Sequence, residues 1–286
     1  MKKFLKKYKK EITFFVLSLI LLNLALFIHM ARLMRNDKLL RVYFLNVGQG
    51  DASLITLPGG AHIMVDGGPN PQATLEELSK ILSPFKRTID LITSSHPQQD
   101  HIGGLPEVFR RYRVGAYISN GEKNEIGVYD ALMEVLGKEG IPNIVLSRGD
   151  KIRYRDSVIE VLNPPRRSIQ SDLNENSLVL LLRSASTTAL FTGDIGKTTE
   201  AGLEVGLLNI LKVPHHGSKY SSSPKFLKAL KPKIAVIQVG ENRFGHPTKD
   251  ALKRLENVGA KIFRNDEDGT IQIISDGKVL KITKIK

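Results

Sequence analysis

The sequence predicts a layered α/β sandwich behind one N-terminal, membrane-length helix. Three observations predict it. Ile12 to Met30 contains no Asp, Glu, Lys or Arg. From residue 40 onward, short apolar strand patterns alternate with segments of helical leucine spacing. That style occurs twice in succession, as expected for two similar layered halves.

The first eleven residues form a basic tail, MKKFLKKYKKE, with six lysines against one glutamate. The next segment, 12–31, is read as a transmembrane anchor, because a bilayer core needs about 20 mostly apolar residues in a helix. A soluble core helix is not expected, because the run is apolar on all faces. The apolar core of a cleaved signal peptide is shorter, about 7–15 residues, and no clear A-x-A site follows, so an uncleaved anchor is expected. Lysines dominate before the span, whereas only Arg32, Arg35 and Lys38 follow it closely. The positive-inside rule then places the N-terminus in the cytoplasm of a single-pass protein and the rest outside the cell membrane. Residues 32–39 are read as a linker and 40–286 as one domain.

Within the domain, RVYFLNV (41–47), ASLITL (52–57) and HIMVD (62–66) read as strands, the first two parted by the turn GQGD. ATLEELSKIL (73–82) has helical spacing. IDLITSS (89–95) is a buried strand, and LPEVFRRY and VYDALMEVLGKEG are helical. SLVLLL (177–182) and TALFTGD (188–194) are strands, TTEAGLEVGLL (198–208) a helix and ILKV (210–213) a strand. SPKFLKAL is a helix, KIAVIQV (233–239) a strand and TKDALKRLENVG a helix, with three short strands to the end.

Composition narrows the chemistry. With 286 residues and 41% hydrophobic content the chain supports one substantial core. Cysteine is absent, which excludes disulfides and thiolate metal sites. Any metal must be held by His, Asp, Glu or main chain. The formal net charge of +13 suits polyanions such as nucleic acid or anionic lipid; solubility charge is the plainer reading.

The informative residues sit just past strand ends. His96, Asp100 and His101 follow one strand in H-x-x-x-D-H spacing, and Gly193-Asp194 ends another. His215-His216-Gly217-Ser218 follows a third, and FGHP with His246 follows a fourth. Loops on a rigid sheet bring such residues to one edge, and five of the seven histidines lie there. Imidazole and carboxylate are suitable ligands for zinc or manganese, and a carboxylate such as Asp194 can bridge two ions. Gly103, Gly104, Gly193 and Gly217 are read as allowing tight turns beside the ligands. Asp66 in VDGG admits two roles, orienting a ligand histidine or capping a turn. His62 and His29 are read as structural.

The stretches FLNVGQGDASLIT, MVDGG, SSHPQQDHIGGL, ENSLVLLL, LFTGDI, LKVPHHGSKYSSSPKFL and FGHP resemble a metallo-β-lactamase-fold hydrolase. More narrowly, they are similar to the extracellular hydrolase domain of the ComEC-type competence DNA-uptake family. The resemblance runs from about residue 43 to 248, in family order. It implies a four-layer αββα sandwich with a metal centre at one sheet edge. It implies that Asp100, His101, Asp194 and His215 are ligands joined by His96. His216 and His246 then fall near the reacting centre as further ligands or proton donors, with Asp100 also taking part in catalysis. Asp51 and Asp66 match acidic positions nearby. Two departures matter. Gln98 stands where the wider pattern has His or Asp, and no histidine lies between His101 and His215. One firm metal ion is therefore expected, with a second weak or absent. The many spans of the transporter are not seen here, so a tethered hydrolase domain is expected, not the channel, with a separate channel protein as a possible partner.

Three functions follow as expectations. The first is a metal-dependent phosphodiesterase or nuclease acting on DNA, with Lys212, Lys219 and Lys225 holding the backbone. Ser218 and Ser221 to Ser223 then either bind phosphate or cap the following helix. The second is a small-molecule hydrolase acting on a lactam, lactone or thioester. The third is a non-catalytic binding module with a reduced site.

Overall fold

The computed structural model describes residues 8–36, 38–84, 87–166 and 171–285. Residues 1–7 of the basic tail lie outside the described residues, as do the side chains of Lys9, His29, Arg32 and Arg35. The chain divides into two units, 1–39 and 40–286. The first holds helix α1 (Lys9–Asn36), whose span Lys10–Ile28 has mean hydropathy 2.3 and is long and apolar enough to cross a membrane. The segment expected to be a linker from 32 to 39 begins as helix, since MARLMRN offers good helix formers and no Pro or Gly.

The second unit is built on two sheets. One holds β1 (Leu40–Phe44), β2 (Ala52–Thr56), β3 (His62–Gly67), β4 (Thr88–Thr93), β5 (Arg113–Ser119) and β6 (Asn143–Val145). Near the C-terminus β14 (Thr270–Ser275) and β15 (Leu280–Ile285) return to it, giving the order β15-β14-β1-β2-β3-β4-β5-β6. The other sheet holds β7 (Lys151–Tyr154), β8 (Ser157–Asn163), β9 (Val179–Ser184), β10 (Thr187–Phe191), β11 (Ile210–Lys212), β12 (Ile234–Ile237) and β13 (Lys261–Arg264). Its order is β13-β12-β11-β10-β9-β8-β7.

Side-chain alternation explains the layering. Along β1, Val42 and Phe44 enter the core between the sheets, while Tyr43 faces the helices. Along β9, Leu180 and Leu182 point between the sheets, while Val179 and Leu181 point outward. The outer face of the first sheet is covered by α2 (Pro71–Ile81), α4 (Leu105–Arg111) and α5 (Gly127–Lys138) through Leu78, Leu105, Val108 and Leu132. The outer face of the second is covered by α7 (Pro224–Leu230) and α8 (Lys249–Asn257) through Phe226, Leu227, Leu230 and Leu255. Three apolar layers separate four layers of structure, which is an αββα sandwich. Phe44 and Phe191 stack across the sheets with ring centroids 5.9 Å apart. Phe44→Ala is expected to cost about 3–5 kcal/mol by leaving a cavity; urea melts of the full chain in detergent check this.

Within the domain, the sequence reading differs most from the structure over 113–163 and 198–208. It assigns no strand to 113–119 or 143–163, where β5 to β8 form; β7 and β8 make an edge hairpin whose turn uses Arg155 at φ 49 in place of a glycine. The helix expected over 198–208 is only α6 (Lys197–Glu200). Gly202 and Gly206 interrupt it, and Glu200 turns inward to accept from the backbone N–H groups of Ser222 and Ser223.

Strands β3 to β6 run parallel to one another, as do β10 to β13. Asp66 lies at the C-terminal end of β3, and the loops past the other strands' C-terminal ends carry His96, Asp194, His215, His216 and His246.

Candidate metal centre

Short α3 (Gln99–Ile102) follows β4 and turns Asp100 and His101 toward the loops of the second sheet. Asp194, just past β10, and His216, past β11, meet them there. One ligand atom from each of Asp100, His101, Asp194 and His216 lies within 4.8 Å of all the others. Asp194 Oδ2 is 3.4 Å from His101 Nε2 and 3.3 Å from His216 Nε2. Asp100 Oδ2 is 3.8 and 3.3 Å from the same two nitrogens. A tetrahedron of metal bonds of about 2.1 Å has edges of about 3.4 Å, so the donor set fits a divalent cation. His101 Nε2 is buried and without a hydrogen-bond partner, the state of a ligand nitrogen before its ion is added.

Each imidazole is oriented through its other nitrogen. His101 Nδ1 lies 3.1 Å from Asp66 Oδ2, and Ser95 N–H donates to the other oxygen of Asp66 at 2.6 Å. Asp66 thus touches His101 with one oxygen and the backbone N–H of Ser95 with the other, a contact that suits the orienting role. His216 Nδ1 lies 2.9 Å from the Gln238 carbonyl, which calls for an N–H there and leaves Nε2 free to face the centre. Gln238 also joins the sheets, accepting from Ser53 Oγ and donating to the Ala52 carbonyl.

His215 and His216 both have positive φ, 49 and 53. Left-handed non-glycine backbone costs of order 1–3 kcal/mol per residue and gathers at functional sites. Its result is an exchange of the two histidines' expected places. His216, expected as an auxiliary, is buried within the donor set. His215, expected as a ligand, is half-buried with Nε2 4.0 Å from Asp194 Oδ2, outside the four-residue group. Adjacent residues point apart, and the pair HH does not say which one turns inward.

His96 is buried beside His101, ring centroids 4.1 Å apart. Its Nε2 is occupied by Gln98 Oε1 at 3.1 Å, and its Nδ1 lies 3.0 Å from Ser95 Oγ and 3.3 Å from Ser177 Oγ. Burial, with the charge of His101 beside it, pulls its pKa down to about 3. Gln98 is thus a partner of His96 and completes no second ligand set.

Electrostatics bind the cluster together. Burial disfavours the charged forms of His101 and His216, yet Asp194 and its neighbouring carboxylates outweigh it and raise both well above the usual value. Burial raises Asp194 and Asp51 in turn, but the histidines and Lys212 hold both below the usual range. Asp66 is raised by its burial. His246 is held down to about 4 by partial burial and by His215 and His216. It rims the cleft with its ring 5.6 Å from that of His215.

Several expected substrate contacts lie elsewhere. Lys212, read as a backbone-binding residue, is 2% exposed and ion-paired with Asp51 beneath the centre. It cannot touch a polymer at the surface. Ser218, Ser221 and Ser222 are buried, and Ser223 caps α7 by accepting from Phe226 N–H. The phosphate-binding role expected of Ser218 therefore has no surface to act through. Lys219 and Lys225 are exposed. His62 pairs with Thr56 away from the centre. Sequence reasoning missed Arg243 and gave Phe244, quoted within FGHP, no role of its own; both line the cleft of about 580 Å³ together with Gln49, Asp100, His215 and His246. Arg243 immediately precedes FGHP and Phe244 is its first residue, where the cue was one exposed aromatic beside a cation. Glycines 103 and 104 differ from expectation too: their φ values of −55 and −83 are helical, so what they provide is close approach, not a special turn.

The family model of the Metallo-beta-lactamase superfamily matches residues 45–241. ComE operon protein 3 of Bacillus subtilis is 29% identical over 253 residues, covering 81% of this chain and 32% of that protein. Competence protein ComA of Neisseria gonorrhoeae is 30% identical over 233 residues, covering 79% and 31%. The chain thus spans about a third of the length of these curated relatives. Among solved structures, Igni18, a metallo hydrolase of Ignicoccus hospitalis, shares the fold with a TM-score of 0.55 at 19% identity, covering 81% of this chain and 98% of its own.

Proposed function

Because the chain belongs to the metallo-β-lactamase superfamily, we propose that it is a membrane-anchored, metal-dependent phosphodiesterase that cuts DNA in a DNA-uptake context. The observation that carries the reading is the convergence of Asp100, His101, Asp194 and His216 at the floor of an open cleft. Asp100, His101, Asp194 and His216 would hold a divalent ion, zinc or manganese, which would supply Lewis acidity to the hydrolysis.

The chain's own residues do the rest. Asp66 and the Gln238 carbonyl hold His101 and His216 in the tautomers that present Nε2. His246, which lines the cleft and is held neutral by its lowered pKa, would serve there as a proton acceptor. Arg243 and Phe244 rim the opening, with the guanidinium 5.8 Å from the ring centroid, and Lys219 stands over Tyr220 at 4.9 Å. Cations beside exposed aromatics suit phosphate and base together. The competence proteins among the relatives support the same substrate. The N-terminal helix supports a single-pass anchor, with residues 1–11 cytoplasmic and the domain 40–286 outside; a separate channel protein would be the partner.

The test is incubation of the full chain, in detergent with manganese or zinc, with single-stranded DNA and in parallel with a chromogenic lactam. DNA cleavage supports the reading; lactam hydrolysis without DNA cleavage overturns it. Protease added to intact cells should remove the domain, and full protection would reverse the orientation. The double replacement Lys219→Ala/Arg243→Ala is expected to weaken DNA binding roughly tenfold at low salt. It should also flatten the salt dependence by a slope of about 2, as measured by fluorescence anisotropy.

A further inference from the structure

Lys212 is the last residue of β11, and its side chain lies beneath the metal centre, 2% exposed. Its Nζ is ion-paired with Asp51 Oδ2, donates to the Gly193 carbonyl at 2.9 Å and lies 3.4 Å from Asp194 Oδ1. Two carboxylates and a main-chain carbonyl around one point are the donor set of a hard divalent cation. Here the point is filled by an ammonium.

The two oxygens of Asp194 are thereby divided. Oδ2 faces His101 and His216, whereas Oδ1 faces Lys212. A carboxylate committed in this way offers one oxygen to a metal. On the other flank, His96 Nε2 is engaged by Gln98, so the position beside His96 has no open pair of ligands.

We propose that the centre holds one divalent ion and that Lys212 Nζ occupies a second-cation position, fixing Asp194 so that only Oδ2 is left for the metal. The inference rests on the metal-hydrolase reading above and names how many ions it uses. Lys212 is a positioning residue: it acts through Asp194 and Asp51 and reaches no substrate.

The experiment is manganese loading of the full chain in detergent, with the metal counted by mass spectrometry and its electron paramagnetic resonance spectrum recorded. The wild type is expected to hold one ion per chain with the hyperfine pattern of isolated Mn(II). Lys212→Ala, purified in manganese, vacates the ammonium position and is expected to hold two ions. Lys212→Arg keeps the charge and is expected to stay at one. A spin-coupled pair in the wild type would overturn the inference while leaving the hydrolase reading intact, as would Lys212→Ala remaining at one ion. No bound ion in the wild type would instead overturn the hydrolase reading. If Lys212→Ala does not fold, the count and spectrum of the wild type and of Lys212→Arg decide, since a coupled pair in either contradicts the proposal.

Discussion

Asp194→Ala is expected to abolish both hydrolysis and metal retention. Asp194 is buried, and its Oδ2 lies within 3.4 Å of both inward-facing imidazoles. Removing it leaves His101 and His216 without the carboxylate they share and strips the ion of its central anionic ligand. The loss of several kcal/mol of transition-state stabilisation corresponds to a rate about a thousandfold lower. The check is initial rate on single-stranded DNA together with bound metal per chain, on protein whose melting curve shows it folded. Undiminished metal and rate would remove Asp194 from the centre. His215→Ala provides the contrast: His215 sits outside the four-residue group, so metal content should persist in that variant.

Gly104→Ala is expected to destabilise the domain sharply without touching a ligand. A Cβ at Gly104 would lie 2.2 Å from the Gly67 carbonyl oxygen and 2.7 Å from Thr74 Oγ1. Gly67 O already accepts from Thr74, and Gly104 N–H donates to the Gly68 carbonyl at 3.1 Å. The VDGG and HIGG loops are packed backbone against backbone, with no room for a methyl group. Overpacking of this kind costs about 3 kcal/mol or more, a Tm fall of roughly 6–12 °C for a domain of this size. The same shift would move Asp66 from His101, so metal affinity should fall with stability. Gly137 in α5 has open space where its Cβ would go; Gly137→Ala should stabilise by about 0.5–1 kcal/mol. Thermal melts of the two variants, run side by side, separate a tight glycine from an incidental one.

Much of this was legible from residue pattern alone. SLVLLL and KIAVIQV are continuous apolar runs because β9 and β12 are buried on both faces. Polar motifs past such runs gather at one edge, and Asp100, His101 and Asp194 do. The hairpin β7–β8 was less legible, since its strands alternate polar with apolar at a sheet edge and its turn lacks the usual glycine. Arg243 gave no signal, and Phe244 was seen only as part of FGHP, because one aromatic beside one cation in a loop carries no period.

By itself the sequence determined several of the buried strands, among them β9 and β12, where the loops bearing imidazole and carboxylate fall, and that an apolar helix precedes the domain. These are properties of local spacing, and spacing is written in the chain. Only the tertiary structure decided that His216 turns inward and His215 outward, that Gln98 closes on His96, and that Lys212 lies beneath the carboxylates instead of at the surface. Each depends on partners distant along the chain, Gln238 for His216 and Asp51 for Lys212. Two neighbouring histidines, or a lysine ending a strand, carry no local mark of which way they face until both sheets are in place.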